Sequence, residues 1–482
     1  MVLQFLNRSL NRHRPSVQVV ETSESNDGSS SSSPATPLQE KGRELCFVDR
    51  PVSKHSIRDA LLKQTSWKSR VLPSKKKKST EDLHKFSLVN CSILEAKAAD
   101  KLEKVLREAT QLQELRLVAD GFMHCPETIA LVLRLLKASS ESTMMSLERL
   151  TLSTLGETLT APVGLYLQQI LMASPLLSQM HITTVTDRQE EMFQQVAQGL
   201  MGHSGMKMLS FSSCSMEDSG LQQLLASLLS LPKLKALDLS CNDLTNESLP
   251  LLTQLLERDC LEFLDISDQP IFDDKLVNDD HVDRFIEAVT MSQNLEYLSL
   301  QKCHLGDEAA AKLFAALADP RINLRQLDLG FNYLGVQAFR ALIQHLPQMK
   351  SIIKLKIHGV RMHSRNIPWS SADGKMLLQA LSQNQNVHCV SIDSNLFHKK
   401  EDFGTLEAVL RRNFLIGKTQ KAMSNTQTDF PVALLPQVLE RVYRTGGLER
   451  TPAHTVNHQI FEMVKYQWAP SLEAQGAAKA QA

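Results

Sequence analysis

Apolar residues recur along this chain in a fixed order of short and long spacings. The stretch from Leu324 shows the order most clearly, with apolar residues at Leu324, Leu327, Leu329 and Leu334 and a polar residue at Asn332. Alternate side chains of a strand point to opposite faces, so the leucines share one face and the polar residues between them share the other. Apolar residues at helical spacing come next. Each unit is therefore predicted to be a strand, a turn and a helix.

The same frame fits eleven places, whose first apolar residues lie 27 to 35 residues apart. We call that first residue position one of its unit. The eleven starts are Leu83, Leu112, Leu147, Leu177, Met206, Leu234, Leu261, Leu295, Leu324, Ile352 and Val387.

Position nine is where the chain must leave the strand. An asparagine amide at this point can bond to backbone groups that the turn leaves unpaired. Asn or Cys stands there in six of the eleven units, whereas Leu155 and Val185 depart from the pattern in the units from Leu147 and Leu177. The six predicted turn residues are Cys91, Cys214, Asn242, Cys303, Asn332 and Asn395.

The unit has the form L-x-x-L-x-L-x-x-N-x-L, which resembles a leucine-rich repeat. Spacings near 28 or 29 residues leave room for a full helix, and in this the chain is similar to leucine-rich repeats of the ribonuclease-inhibitor type. The resemblance implies an α/β solenoid, a horseshoe with a parallel inner sheet and outer helices, over residues 81–416.

The N-terminal segment differs in composition from the rest. The chain of 482 residues carries 53 Lys and Arg against 53 Asp and Glu, yet residues 1–80 hold 15 of the former and 7 of the latter. A serine run from Ser29 to Ser33 is followed by two prolines, and apolar residues are sparse. Burial cannot offset the entropy of ordering such a segment. We expect residues 1–80 to be a disordered basic arm.

Targeting signals in this arm leave alternatives open. Lys75 to Lys78 has the composition of a nuclear-import or phosphate-binding patch, although such a run is more often a solvated surface. The first residues, Met1 to Arg14, carry three arginines and no acid, as mitochondrial presequences do. No apolar run is long enough for a membrane span. A cytoplasmic location is therefore expected, with nuclear and mitochondrial locations as alternatives.

Residues 417–482 are predicted to form a linker and C-terminal helices. Residues 417–428 are polar and read as the linker. Helical spacing then predicts helices at Pro436 to Arg444 and at Thr455 to Trp468. These helices would either cap the solenoid or dock on another chain.

Motifs of catalysis and cofactor binding are missing from the sequence. The eight cysteines form no C-x-x-C pair, and no histidines stand at zinc spacing. No phosphate-binding loop, nucleophile elbow or kinase signature occurs. The aspartates near Phe272 lack the glycine and terminal glutamate of an EF-hand. We therefore expect a protein that is not an enzyme and holds no cofactor or metal. The acidic balance after residue 80 makes nucleic acid an unlikely partner.

The concave sheet face is the default binding surface of a solenoid. The frame places four aspartates on it in the middle units, with three aromatic residues among them, and exposed aromatics ringed by charge are typical of interface hot spots. Scattered surface residues without a partner are the alternative reading. The predicted site consists of Asp238, Asp265, Asp268, Asp328, Phe263, Tyr297 and Phe331, and two insertions add Phe272 and Trp369 as candidate contact residues.

These observations predict a non-enzymatic scaffold that binds a protein partner on the concave face. Two other functions follow from resemblance in repeat type alone. The repeats resemble those of the Ran GTPase-activating protein, which implies a regulator of a small GTPase, although the long acidic tail of that family is missing. They also resemble the repeats of tropomodulin, which implies an actin binder.

Overall fold

A computed structural model describes most of the chain between residues 43 and 424. The described residues are 43–48, 52–53, 55–57, 83–91, 96–119, 126–142, 144–187, 189–273, 279–359, 371–392 and 400–424.

Twelve strands form one parallel sheet in which spatial order follows chain order from β1 to β12. Parallel strands need a crossover between them, and here the crossovers run over one face of the sheet. The strands are β1 (Arg43–Val48), β2 (Leu83–Val89), β3 (Glu114–Val118), β4 (Arg149–Leu159), β5 (Gln179–Thr186), β6 (Met208–Phe211), β7 (Ala236–Asp238), β8 (Phe263–Asp265), β9 (Tyr297–Ser299), β10 (Gln326–Asp328), β11 (Lys354–Lys356) and β12 (Cys389–Ser391).

Helices alternate with the strands from β2 onward. They are α1 (Ala96–Glu108), α2 (Pro126–Ser140), α3 (Val163–Ala173), α4 (Gln189–Leu200), α5 (Glu217–Ser230), α6 (Leu249–Glu257), α7 (Asp279–Met291), α8 (Asp307–Ala316), α9 (Val336–His345), α10 (Ser371–Gln383) and α11 (Lys400–Ser424). Two short 3₁₀ helices, Asn246–Ser248 and Leu346–Gln348, adjoin α6 and α9.

The solenoid prediction is confirmed. All eleven predicted strands are present as β2 to β12. Strand β2 begins at position one of its unit, and each of the other ten begins two residues after position one. Apolar strand side chains such as Leu327 and Leu329 are at most 1% exposed. Strands lie about 4.8 Å apart and packed helices about 8–10 Å, so each unit is wider on its helix side and the sheet face is concave.

The predicted boundary of the N-terminal arm at residue 80 is wrong. Strand β1 lies inside that arm and pairs with β2 in parallel, with Leu45 opposite Phe86 and Phe47 opposite Leu88. Leu45 and Phe47 are almost fully buried. Their burial offsets the cost of ordering a short strand in a segment of otherwise unfavourable composition. Residues 1–42 and Lys75 to Lys78 lie outside the described residues.

Two buried asparagines at position nine tie neighbouring units together. Asn332 accepts hydrogen bonds at Oδ1 from the amides of Cys303 (2.9 Å) and Leu305 (3.1 Å) in the preceding unit. Its Nδ2 donates to the carbonyl oxygens of Leu300 (2.7 Å) and Leu329 (3.0 Å). Asn242 repeats the arrangement one unit after Cys214. Its Oδ1 accepts a hydrogen bond from the backbone amide of Cys214 at 2.9 Å. Each asparagine therefore satisfies backbone groups of two units.

Cysteine and glutamine fill the same position in other units. The Cys214 thiol donates to the Ile182 carbonyl oxygen at 3.4 Å, and the Cys303 thiol donates to that of Ile266 at 3.1 Å. Burial raises the pKa of Cys214 to about 12 and that of Cys303 well above its ordinary value, so both thiols keep the proton they donate. Gln269 accepts from the Asn242 amide at 3.2 Å. Cys91, which donates to the Val89 carbonyl at 3.2 Å, fits the same role.

Position eight, just before these side chains, adopts the left-handed backbone conformation in seven units, and only one of the seven residues is glycine. In six of them the amide donates to the position-seven carbonyl of the next unit at 2.8 to 3.0 Å, so the sheet bonding continues through the turn. A positive φ is costly for residues other than glycine and persists where the surroundings enforce it. The residues are Asn90, Ser213, Cys241, Asp268, Lys302, Phe331 and Gly359, with φ from 51° to 65°.

Two of the three units with an apolar residue at position nine, those with Leu155 and Val185, have long strands, and Val360 of the third unit lies outside the described residues. Strand β4 has 11 residues and β5 has 8, whereas β7 to β12 have 3 each. The two long strands pair a second time beyond a register shift, through Thr158 with Val185 and Leu159 with Thr186. Leu155 and Val185 cannot bond to the backbone of a turn, and the chain at these two positions stays extended and satisfies its backbone in the sheet.

Helix α11 extends further than the sequence pattern indicates. Residues 417–424, predicted as the start of a polar linker, form its last turns. The helices predicted at Pro436 to Arg444 and Thr455 to Trp468 lie outside the described residues, as does the predicted turn residue Asn395.

Replacing Asn332 by alanine should lower the free energy of unfolding by at least about 2 kcal/mol, because two amides and two carbonyls lose their partner in a buried turn. Asn242→Ala should behave alike. Urea unfolding followed by circular dichroism measures the change. The matched control is Asn323→Ala, which removes an exposed asparagine bonded to the Gln293 carbonyl and should cost less than about 1 kcal/mol. Equal losses of unfolding free energy at Asn332 and Asn323 would contradict the proposed role of the position-nine asparagines in joining neighbouring units.

Candidate functional site

Three aspartates stand at position five on the sheet face of the middle units. Asp238 lies opposite Asp265 on the neighbouring strand, Ser299 follows on β9, and Asp328 follows on β10. Strand spacing of about 4.8 Å brings these side chains into one electrostatic field. We call Asp238, Asp265 and Asp328 the carboxylate row.

The carboxylate row is less exposed than the frame predicts. Asp265 is 8% exposed and Asp328 is 3% exposed. Each aspartate side chain turns back on its own chain and accepts a hydrogen bond of 3.0 Å from the backbone amide two residues later. These amides belong to Ser240, Ser267 and Gly330, respectively. The carboxylates thus stabilise the backbone where each strand ends as well as carrying charge. Strand pleating fixes which face a side chain is on, but it does not fix this local bonding.

Counter-charges are distributed unevenly over the row. Lys356 on β11 pairs with Asp328 at 2.9 Å. Asp268, in the turn after β8, pairs with Lys302 at 2.8 Å. Asp238 is bonded instead to the hydroxyls of Ser210 (2.8 Å) and Ser240 (2.7 Å).

Like Asp238, Asp265 has no cation, since no Lys or Arg of the described part of the chain lies within 4.0 Å of its carboxylate, and it is the more buried of the two. Burial, and next the charge of Asp238, raise the pKa of Asp265 to about 7. Its bonds from Ser267 act in the opposite direction but do not compensate for the burial. Near neutral pH this carboxyl is only partly ionised, and a cation placed beside it would favour the charged form.

The aromatic residues flank the row on two sides rather than forming one exposed group. Phe263 and Tyr297, at position three, stack with ring centroids 4.2 Å apart and planes 9° apart. Phe263 is only 6% exposed, so its prediction as an exposed anchor is wrong; Tyr297 is half-buried. Phe331 lies at position eight in the turn and packs edge-on against His358 at 5.0 Å.

Gly359 explains why the Phe331 ring can lie as it does. Its φ is +65°, and a Cβ built on it would lie 2.3 Å from the Phe331 ring. Any larger residue would displace the ring or strain the backbone. Phe331 and His358 therefore form a second apolar patch, on the far side of the row from Phe263 and Tyr297.

The two loop candidates fare differently. Phe272 is 2% exposed and packs against Phe285 of α7, with centroids 5.8 Å apart. Its ring belongs to the core, and the prediction that it contacts a partner is wrong. Trp369 lies outside the described residues.

A chain of polar contacts extends the site towards the N-terminal units, and sequence reasoning missed it. Ser210 Oγ donates to Asp238 and lies 2.7 Å from His181 Nδ1, while His181 Nε2 lies 3.1 Å from Thr183 Oγ1. His181, Ser210 and Asp238 occupy position five of three consecutive units. This shared position was the signal in the sequence that could have predicted their contact. The serine proton is held by Asp238, so His181 does not serve as its base, and the arrangement is not that of a nucleophilic triad.

Within the described ranges, no three His, Cys, Asp or Glu residues are grouped as metal ligands. In the same part of the chain, no helix has the length and apolar character that crossing a membrane requires. The chemistry that this face offers is therefore that of paired and unpaired carboxylates beside aromatic rings.

Known proteins similar to this chain share its repeats. The sequence profile of a leucine-rich repeat family matches residues 230–249, which include β7, and residues 292–314, which include β9. No curated protein matches the sequence.

Three solved structures are among those with similar folds. The C-terminal domain of tropomodulin from Caenorhabditis elegans is 19% identical, covers 36% of this chain and 98% of its own, and has a TM-score of 0.30. Leiomodin-1 actin-binding site 2 is 16% identical, covers 37% and 96%, and has a TM-score of 0.31. The TLR13 chain of a complex with ssRNA13 is 15% identical, covers 67% and 38%, and has a TM-score of 0.37. These likenesses concern the repeat architecture alone.

Asp265→Asn should stabilise the protein more at alkaline pH than at acidic pH. The folded-state pKa of about 7 lies above the unfolded value of about 3.9, so folding binds a proton between these pH values. Wild-type stability therefore falls as pH rises from about 4 to about 7 and levels off above that, whereas the amide is always neutral. We expect the gain at pH 8 to exceed the gain at pH 5 by about 1–3 kcal/mol.

Urea unfolding at both pH values measures the difference. Asp283→Asn is the matched control, because Asp283 is exposed and paired with Lys312 at 2.8 Å. It should produce a small change that does not depend on pH. If Asp265→Asn changes the free energy of unfolding by the same amount at pH 5 and pH 8, the raised pKa assigned to Asp265 is ruled out.

Proposed function

The chain is a leucine-rich-repeat protein, and from that premise we propose that it is a binding scaffold which holds a basic protein partner against the sheet face of strands β7 to β11. The observation that supports this most directly is Asp265, a buried carboxylate without a cation at the centre of the face. No catalytic role is proposed for any residue.

Charge balance on this face favours a cationic partner. The four aspartates of the predicted site, Asp268 and the carboxylate row, are matched by two lysines, Lys302 and Lys356. Four charges against two leave an excess of two negative charges when all are ionised. Such an excess, recessed in a concave surface of low dielectric, attracts basic groups and speeds their arrival.

The geometry favours a planar cation from the partner. A guanidinium can bond two carboxylate oxygens at once, and Asp238 and Asp265 stand side by side on adjacent strands. Tyr297, next to them at position three, offers a half-buried ring against which such a group can stack. The desolvation of Asp265 is already present in the free protein, so pairing it with a cation regains stability rather than costing more.

The aromatic groups then set the residence time in the complex. Tyr297 and the Phe331–His358 pair present rigid apolar area on opposite sides of the row. Rigid rings lose little entropy on binding. Regulation of a small GTPase and binding of actin, the two functions implied by the resemblance in repeat type, stay predictions, and both proteins enter the test below as candidate partners.

The scaffold proposal is tested with Asp238→Asn/Asp265→Asn, which removes two charges and keeps oxygen acceptors for the strand-exit amides. The full chain, wild type and variant, is used to capture partners from cells and is then measured against each purified partner, including actin and small GTPases. We expect at least about a tenfold loss of affinity and a weaker dependence of association on salt.

The matched control for this experiment is Asp279→Asn/Asp283→Asn, which removes two charges from α7 on the helix side. It should bind the partner as the wild type does. If the Asp238/Asp265 variant binds a partner as tightly as the wild type does, that partner contacts another surface. This result would contradict the proposed face.

A further inference from the structure

A second surface, on the helix side of the solenoid, stands out because it carries no charge. No Asp, Glu, Lys or Arg occurs from Thr158 to Thr186, a stretch that spans α3 and β5, although such residues make up 22% of the chain. Charge is likewise missing from Met192 to Met206 and from Ser219 to Pro232. These stretches include most of α4 and α5, so three consecutive helices share the property.

The outward positions of these helices correspond in register. Leu165, Gln194 and Gln222 each stand twelve residues before the next unit's start, and each is exposed. Five of the seven equivalent positions elsewhere hold charged residues, and the other two, Leu135 on α2 and Leu249 on α6, are buried. The charged ones are Asp100 on α1, Asp283 on α7, Lys312 on α8, Arg340 on α9 and Lys375 on α10.

The neutral character continues along each helix. Gln169 and Met172 follow Leu165 on α3, and Gln198 and Met201 follow Gln194 on α4, at the spacing of one helix face. We call these six residues, with Gln222 and Ala226 on α5, the neutral helix face. Its methionines are exposed, Met172 at 72% and Met201 at 57%.

Close packing makes the neutral helix face a continuous surface. Helices α3 and α4 approach until a Cβ on Gly164 would lie 2.5 Å from the Met192 Cα. Gln168 on α3 donates to Gln198 on α4 at 2.9 Å. Two rows of side chains are thereby held side by side, with no groove of charged residues between them.

We propose that the neutral helix face is a homodimer interface, on which a second copy of this chain docks by the same face. A surface without charge selects no partner by electrostatic attraction, and it does not repel its own copy. The whole chain has a formal net charge of zero, which keeps long-range repulsion between two copies small, although residues 81–482 carry eight more acids than bases. Methionine and glutamine can adapt to an identical surface across a two-fold axis, which is the commonest symmetry of soluble oligomers.

The size of the face fits a weak dimer. Helices of about 12 residues are about 18 Å long, and three of them side by side cover about 25–30 Å. Each copy then contributes on the order of 500 Å², and two contribute about 1,000 Å², which is near the lower limit for specific association. A dissociation constant in the micromolar range is expected.

Sedimentation velocity of the full chain over a concentration series tests the proposal. The wild type should shift from the 54.0 kDa monomer towards twice that mass as concentration rises. Met172→Glu/Met201→Glu should weaken this association at least about tenfold, because like charges would meet across the axis. Met291→Glu/Met376→Glu is the matched control: these methionines, on α7 and α10, are 62% and 50% exposed, and the control should dimerise as the wild type does.

A second variant guards against misfolding. Leu165→Lys/Gln194→Lys places lysines at the frame position that Lys312 occupies on α8, so the fold should tolerate them and thermal midpoints should be unchanged. It should also weaken association at least about tenfold. A wild type that stays monomeric through the concentration series would overturn the proposal, as would association that both variants retain. Neither result bears on the sheet face, because these substitutions leave β7 to β11 untouched.

Discussion

The architecture depends on how the backbone is satisfied where each strand ends. Strands of three residues supply few sheet bonds, and the chain must then turn inside the solenoid, away from water. An unpaired buried amide or carbonyl costs about 1–3 kcal/mol, and the turn recurs in most of the described units. The side chain at position nine answers this need, since Asn242 and Asn332 each bond to the backbones of two successive units. Stacking of the units therefore follows from hydrogen bonding in the turns as well as from leucine packing.

The same constraint accounts for variation among the units. Cysteine keeps only the donor half of the role, and glutamine keeps both halves at greater reach, so the turns at Cys214, Gln269 and Cys303 retain the same course. Where no polar side chain is available, β4 and β5 continue as sheet and pair again beyond a shift in register. The buried threonines Thr154 and Thr184 bond to each other at 2.5 Å there, in place of a turn ladder. A local change of residue type thus alters strand length without interrupting the solenoid.

Sequence reasoning located the repeating elements because periodicity reports directly on which face each residue occupies. It placed β2 to β12 correctly and missed β1, where only Leu45 and Phe47 point inward and the flanking composition resembles that of a disordered arm. It also took position on the sheet face to mean exposure. Asp328 is buried because it bonds to its own turn and to Lys356, and Phe263 is buried because Tyr297 covers it. Contacts between neighbouring units decide such burial, and a frame that treats each unit alone does not contain them.

The two faces of the solenoid differ in the kind of recognition they support. The sheet face concentrates carboxylates in a recessed surface, where one of them, Asp265, is buried without a counter-ion and its pKa is raised to about 7. Such a face discriminates by charge, and its attraction for a cation weakens as Asp265 becomes protonated. The neutral helix face has no charge with which to discriminate, so any association there would depend on shape and apolar area. Because the strand side chains on the sheet face and the outward helix side chains of one unit point away from each other, substitutions can change either face while leaving the other intact. A repeat protein of this kind can therefore combine charge-dependent recognition on the sheet with self-association through its helices, and the two need not be coupled.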